Sequence, residues 1–405
     1  MKNNKKIINA APVPANGGKN TVASRGAFNP DEYRVVRGGV DNFLLFTILI
    51  LLAFGLIMVF SASYADARTR YGDSYYFIKR QSIMVIIGLV TMVVASRLRI
   101  TFYKNAAVLA YGFSAVLLFA VLFAGDTGGG AQRWIELGPL RFQPSEMAKY
   151  SLILMLAWYY SKYAEKAFDM RNNKNAYLYG TMIPLVFIGF ICVLVMLEKH
   201  LSGIIIIGCI GLMVMFVSGI KLKLLGLFAA IGVAGVAAIA IFTDYTKRRI
   251  DIWLNPEQFP REGGWQTLQG LRAIGSGGLF GLGLGNSRQK YSYVSQPQND
   301  FIFTITCEEL GFIGAAAVIV LFGLLVWRGV VIALRAPDRF SQLVAVGITF
   351  KVALQVILNI AVVTNSIPNT GISLPFFSYG GTAMVVQLAE MGTLLAISRH
   401  TLEKK

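Results

Sequence analysis

Ten apolar windows, at 43–63, 81–97, 106–124, 146–160, 179–197, 203–219, 223–242, 301–333, 343–363 and 380–398, constrain this chain more than any other feature. A helix crosses a bilayer's hydrocarbon core in roughly 17 to 25 apolar residues. Within lipid, only helices and closed barrels satisfy their own backbone polar groups. With 55% hydrophobic and 15% charged residues among 405, no soluble core could hide this surface. The expected fold is therefore all-α and polytopic: ten transmembrane helices with a long extracytoplasmic loop between the seventh and eighth. The windows at 81–97 and 146–160 are the weakest, each short or interrupted by polar residues.

Charge orients the spans. A net charge of +17 would suggest nucleic acid as the partner of a soluble chain. Here Lys2, Lys5, Lys6, Arg34 and Arg37 precede the first window, Arg97, Arg99 and Lys104 follow the second, and Lys162, Lys166 and Arg171 follow the fourth. Lys221 and Lys223 follow the sixth, Arg335 and Arg339 the eighth, and Lys404 and Lys405 end the chain. All fall on one side of the membrane if the N-terminus is cytoplasmic, as the positive-inside rule requires. The expected protein is multi-pass, has both termini in the cytoplasm and binds no nucleic acid.

Residues 1–40 are polar, rich in Asn, Gly and Lys, and expected to be a disordered cytoplasmic tail without a cleavable signal peptide. Residues 41–398 form the expected membrane domain, 243–300 its large outer loop, and 399–405 a short cytoplasmic tail. Cys192, Cys209 and Cys307 lie inside apolar windows, and His200 and His400 are isolated, so no Cys/His spacing supports a disulfide or metal site.

Five constellations carry chemistry. The polar run Gln296-Pro297-Gln298-Asn299-Asp300 enters the apolar Phe301-Ile302-Phe303, leaving a carboxylate at the edge of hydrocarbon. Charge there is costly and usually functional, although aspartate also serves well as a helix N-cap. Thr304, Cys307, Glu308 and Gly311 follow at helical spacing, on roughly the same face, and Glu309 adjoins them. Beyond Arg141, Pro144-Ser145-Glu146 opens the fourth window, where Ser145 can cap and Glu146 sits near the positive helix end. Lys149 shares the face of Glu146 about one turn into the membrane, where an unpaired lysine costs about 3 kcal/mol. The two residues read either as a structural pair or as the wall of a polar cavity.

Lys247-Arg248-Arg249 follows the seventh window and suits lipid headgroups, solvent or a bidentately held pyrophosphate. Lys351, Gln355 and Asn359 form a polar stripe in the ninth window, and Lys351 matches Glu390 in depth, so the two are predicted to pair as a structural element. The stretch from Pro368 to Thr382, which includes Ser378, holds two prolines and three glycines and reads as a rigid re-entrant loop. Within the long loop, Ile274 to Gly285 alternates glycine with apolar residues and can fold back, its backbone close to a ligand or another helix. Trp253, Trp265, Tyr291 and Tyr293 suit an interfacial position.

Three sets of residues resemble the SEDS family of polytopic peptidoglycan polymerases, over roughly 43–398. They are Gly371-Ile372-Ser373-Leu374-Pro375-Phe376-Phe377-Ser378-Tyr379-Gly380-Gly381; Arg133-Trp134-Ile135 with Gln143-Pro144-Ser145-Glu146; and Asp300-Phe301-Ile302-Phe303 with Glu308-Glu309-Leu310-Gly311. Gly285-Asn286-Ser287-Arg288-Gln289-Lys290 looks like the division and sporulation branch. Where the family commonly has a Pro-Asp-Leu-Gly turn, this chain has Glu198-Lys199-His200-Leu201-Ser202-Gly203.

The resemblance implies a glycosyltransferase of the bacterial cytoplasmic membrane that polymerises lipid II on the outer face and releases undecaprenyl pyrophosphate. It makes Asp300 the catalytic base, Arg141, Glu146 and Lys149 cavity residues, and Arg248 and Arg249 phosphate contacts. Glu308 and Ser378 complete the expected substrate-binding set. A divalent cation, Mg2+ or Mn2+, would bridge Asp300 and pyrophosphate. Expected partners are lipid II, the undecaprenyl-pyrophosphate-linked glycan, a class B penicillin-binding protein transpeptidase and division proteins. The competing readings are a lipid II flippase and a scaffold that only recruits a partner.

Overall fold

A helix covers each of the ten windows in the computed structural model, which describes residues 6–7, 33–128, 131–137, 140–167, 174, 177–260, 263–291 and 293–404. In chain order the helices are α1 (Asn42–Tyr71), α2 (Tyr76–Arg97), α3 (Ile100–Ala124), α4 (Pro144–Lys162), α5 (Ile183–Leu197), α6 (Leu201–Val217) and α7 (Leu222–Phe242). Two helices of the long loop follow, α8 (Asp244–Leu254) and α9 (Gly264–Ser276). The last three are α10 (Ile302–Leu334), α11 (Arg339–Val363) and α12 (Gly381–Ser398).

Among the described residues, seven helices are long and apolar enough to cross a membrane: α1, α2, α3, α5 with the π-helical turn Leu178–Met182 ahead of it, α10, α11 and α12. The chain is a multi-pass membrane protein. Helix α6 is apolar but shorter, and α4 has the polar start and aromatic end that weaken its window. Position explains why α4 tolerates that composition. It packs against α3, α6 and α11, and Leu152 to Ala157 are all buried, so protein rather than lipid solvates it.

Close approach of α2 and α12 depends on small residues. A Cβ at Gly392 would stand 2.9 Å from Met92 Cα and 2.7 Å from Ala95 Cβ, so only glycine lets the two backbones meet there.

Helix α10 is broken at Gly311, whose φ of 65° and ψ of −166° are not helical. The break frees backbone groups, and the glycine-rich segment after α9 takes them up. Leu282 N and Gly283 N each donate at 3.0 Å to the carbonyls of Glu308 and Glu309, while Phe312 N donates to Gly278 O at 2.8 Å and Ile313 N to Leu279 O at 3.2 Å. A Cβ on Gly281 or Gly311 would overlap the other strand's backbone. The expected fold-back is therefore present, and its target is a helix. Irregular backbone at such depth is stable only when protein satisfies it in this way.

Both ends of the bundle carry small sheets. Next to the helices' other ends, β1 (Tyr33–Arg37) pairs antiparallel with β5 (His400–Lys404), Val35 opposite Leu402. Most of the tail expected to be disordered, over 1–40, lies outside the described residues. At the Asp300 end, β2 (Asp126–Gly128), β3 (Ala131–Leu137) and β4 (Leu140–Phe142) form an antiparallel hairpin sheet where sequence suggested only a loop.

Candidate active site

Asp300 is not the cap of α10. The cap position belongs to Phe301, and no side chain caps that helix. What holds Asp300 is its backbone. Asn359 Nδ2 on α11 donates to Asp300 O at 2.8 Å and to Ile372 O at 2.7 Å, fastening the 364–379 loop to the start of α10. Gly371, at φ 69°, lies so close that a Cβ there would stand 3.3 Å from Asp300 Oδ2. Burial pushes the Asp300 carboxyl up to about 6, and the facing Arg249 guanidinium opposes that rise.

Arg249 also donates Nη1 to Asn369 O at 2.7 Å, and Trp253 Nε1 donates to Asn365 O at 2.9 Å, so α8 is docked on the same loop. Beside them opens a cavity of about 200 Å³ lined by Arg249, Ile252, Trp253, Gly263, Gln266, Thr267, Asn365 and Asn369. Arg248, one residue and about 100° further round the helix, is exposed and lies over the Phe259 ring at 5.5 Å. The two arginines expected together are thus separated, and Arg249 is the one beside Asp300.

A second group begins at α4. Lys149 Nζ is 2.7 Å from Glu146 Oε1, and both residues are buried. The predicted Lys351–Glu390 pair is present, with Nζ 2.7 Å from both carboxylate oxygens and 3.2 Å from Gln387 Oε1. The two pairs lie within electrostatic reach of each other. Ser145 Oγ is 3.5 Å from His200 Nδ1, and Ser202 Oγ donates to Thr370 O, next to Gly371. The turn between α5 and α6 therefore touches both the 364–379 loop and the start of α4.

Two of the expected substrate residues, Glu308 and Ser378, make contacts within the protein. Glu308 is 1% exposed, and its oxygens accept from Ser287 Oγ at 2.5 Å and Arg288 N at 2.9 Å, so it points to the glycine-rich segment instead of the Asp300 cleft. Its helical spacing from Asp300 assumed that Asp300 lies on the helix, which begins at Ile302. Ser378 is buried and its Oγ accepts from Leu374 N at 2.7 Å, shaping the loop. Arg141 is exposed on β4, where its carbonyl accepts from Thr382 Oγ1 at 2.9 Å and docks the hairpin on α12.

Among the described residues no three His, Cys, Asp or Glu side chains group as metal ligands. Asp300 supplies one hard oxygen beside a cationic Arg249, a donor set that fits a divalent ion only when substrate phosphates complete it.

Fold and site together define a membrane-embedded protein with a half-buried carboxylate, Asp300, and an arginine-lined cavity at the same end of the bundle. The chain belongs to the cell cycle protein family of FtsW, RodA and SpoVE, whose family model matches residues 42–403. It is 39% identical over 364 residues to stage V sporulation protein E of Bacillus subtilis (strain 168), covering 89% of this chain and 97% of that protein. It is 35% identical over 363 residues to the probable peptidoglycan glycosyltransferase FtsW of Geobacter sp. (strain M18), with 89% and 97% covered. Among solved structures it superposes with a TM-score of 0.73 and 28% identity on a chain of a peptidoglycan synthase complex that coordinates polymerization and crosslinking, covering 89% of this chain and 98% of that one. The Thermus thermophilus rod shape determining protein RodA superposes at 0.65, also at 28% identity, with 89% and 97% covered.

Proposed function

We propose that this protein is a peptidoglycan glycosyltransferase that polymerises lipid II at the outer face of the cytoplasmic membrane. The observation that carries the reading is Asp300: a carboxylate that caps nothing, held by its backbone and raised toward neutrality beside Arg249. Such a group is ionised at pH 7 yet a stronger base than an ordinary aspartate, which suits general-base work. All ten windows are read as spans, with the basic segments and both termini inside and Asp300 outside.

In the reaction, Asp300 accepts the proton of the acceptor GlcNAc 4-hydroxyl as its oxygen forms a bond to C1 of the donor MurNAc. The C1–O bond to undecaprenyl pyrophosphate breaks with its electron pair on the phosphate, and the anomeric centre inverts. Arg249, lining the adjacent cavity, stabilises charge on the departing pyrophosphate. Asp300, with the substrate phosphates, would hold a divalent cation, which would supply further neutralisation of that charge. Glu146 and Lys149 form the inner wall, and Arg248 contributes positive potential at the mouth. A class B penicillin-binding protein is the partner that crosslinks the emerging strand, in division or sporulation.

The flippase reading draws less support, because the buried charges Lys149 and Lys351 are already paired with Glu146 and Glu390. Polymerisation of lipid II by the purified protein, with and without a transpeptidase partner, tests the proposal. Wild type makes glycan strands and Asp300→Ala makes none while remaining folded. Equal polymer from both would overturn the assignment.

A further inference from the structure

Three segments meet around the cavity of about 200 Å³ beside Arg249: α8, the start of α9 and the 364–379 loop. The lining side chains of Arg249, Trp253, Gln266, Asn365 and Asn369 are half-buried, so the cavity is open to a ligand. Gln266 Nε2 donates to Ser295 O at 3.0 Å, which ties this wall to the segment leading into Asp300. The cavity is smaller than the roughly 300 to 1,000 Å³ of pockets that enclose a drug-sized ligand. It has room for one sugar ring and not for a whole disaccharide headgroup.

The lining decides the chemistry of the occupant. Trp253 uses its N–H on Asn365 O at 2.9 Å, so the indole has only its ring carbons left to offer. The negative π face of such a ring attracts the polarised C–H groups on one side of a pyranose. Each amide is half used: Gln266 Nε2 bonds Ser295 O, Asn365 Nδ2 bonds Trp253 O at 3.4 Å, and Asn369 Oδ1 accepts from Gly371 N at 3.1 Å. Among the described residues, Gln266 Oε1, Asn365 Oδ1 and Asn369 Nδ2 have no hydrogen-bond partner. The cavity thus presents two neutral acceptors and one neutral donor.

No carboxylate lines the cavity, and its one cation is Arg249. An amine would find no counter-charge there. A glycosyl phosphate would set its ring on the indole and its phosphate on the guanidinium. In lipid II the sugar joined to pyrophosphate is MurNAc, whose 3- and 4-oxygens carry the peptide-bearing lactyl group and GlcNAc. What remains free on that ring is an acetamido N–H, a 6-hydroxyl and an acetamido carbonyl. Those two donors and one acceptor complement the three open amide atoms.

We propose that this cavity is the donor-sugar subsite. Trp253 stacks on the MurNAc ring, the amides of Gln266, Asn365 and Asn369 bond its acetamido and 6-hydroxyl groups, and the pyrophosphate on C1 lies against Arg249. The inference rests on the polymerase reading and adds specificity residues to it.

The test gives the full chain, in lipid nanodiscs, two lipid II analogues that together form a single bond. One is epimerised at the GlcNAc 4-hydroxyl and serves only as donor. The other has a methylene in place of the anomeric oxygen and serves only as acceptor. Trp253→Ala is expected to raise the donor KM about ten-fold and to leave the acceptor KM where it is. Gln266→Leu shifts the donor KM in the same direction. Trp253→Phe loses the bond to Asn365 O but keeps a ring face, and it brings the donor KM back to within about three-fold of wild type.

A donor KM unmoved by Trp253→Ala, or a rise confined to the acceptor, would overturn the subsite. So would donor defects of equal size in Trp253→Phe and Trp253→Ala, because the indole would then serve only to dock α8. Failure of the polymerase reading shows differently: wild type joins neither these analogues nor lipid II itself, and the subsite falls with it.

Discussion

Asn359 Nδ2 donates a 2.8 Å hydrogen bond to the backbone carbonyl of Asp300 while its second bond holds Ile372 O at 2.7 Å. One fully buried amide thus sets the spacing between Asp300, the proposed base, and the loop that faces it. Asn359→Leu leaves two carbonyls unpaired, at about 1 to 3 kcal/mol each, and lets Asp300 drift. Lipid II polymerisation is expected to fall about 10- to 100-fold in kcat with a smaller change in KM. A proportional rise in KM alone would show that Asn359 shapes binding and not the base.

Lys351 and Glu390 present a different kind of pair, buried, remote from water and paired at 2.7 Å. Removing one partner strands a charge, at about 3 to 5 kcal/mol, whereas replacing both with apolar residues is often neutral or stabilising. Lys351→Met is therefore expected to lower the melting temperature sharply, and the Lys351→Met/Glu390→Leu double variant to recover it. Thermal denaturation in nanodiscs reads both. If the double variant melts well but polymerises poorly, the pair has a role beyond the fold.

Those two cases mark what the chain discloses by itself. Lys351 and Glu390 were legible because a charge at membrane depth demands a partner, and depth can be counted along a helix. The multi-pass helical class was legible for the same reason, since lipid permits few structures. The contacts of Glu308 were not legible because its partners, Ser287 and the amide of Arg288, reach it only after the glycine-rich segment folds back on α10. No local spacing announces a contact of that range. The hairpin of β2 to β4 was missed because its strands are short and sit between much stronger helical signals. The separation of Arg248 from Arg249 needed the orientation of α8, which sequence does not supply.

Asp300 gives the reaction and the fold opposite pH dependences. Its carboxyl is raised from 3.8 to about 6, so the base is available above that value, and kcat/KM is expected to rise through about pH 6 to a plateau. For stability the sign reverses. A carboxyl whose folded value lies above its unfolded one contributes most when protonated, below about 4, and loses that contribution as pH rises through 6. Asp300→Asn, which cannot ionise, is expected to be inactive yet to melt higher than wild type at pH 7.5, the gap closing toward pH 4. A constant gap across that range would mean that ionisation of Asp300 is not its source.

The break in α10 makes the sharpest structural prediction. Gly311 combines φ 65° with a contact in which a Cβ would overlap the backbone of Leu279 and Gly281. Gly311→Ala therefore meets both a backbone region nearly confined to glycine, at about 1 to 3 kcal/mol, and a clash that relaxes only if the glycine-rich segment leaves. That departure would strip the donors from the carbonyls of Glu308 and Glu309 and expose backbone at a depth where it cannot be solvated. Gly323, further along the same helix, has open space around it, and Gly323→Ala is expected to change stability by less than about 1 kcal/mol. Expression and melting of the two variants in parallel check the contrast. A Gly311→Ala protein as stable as Gly323→Ala would mean that the helix can run straight through, and that the fold-back is not what holds Glu308 and Glu309 in place.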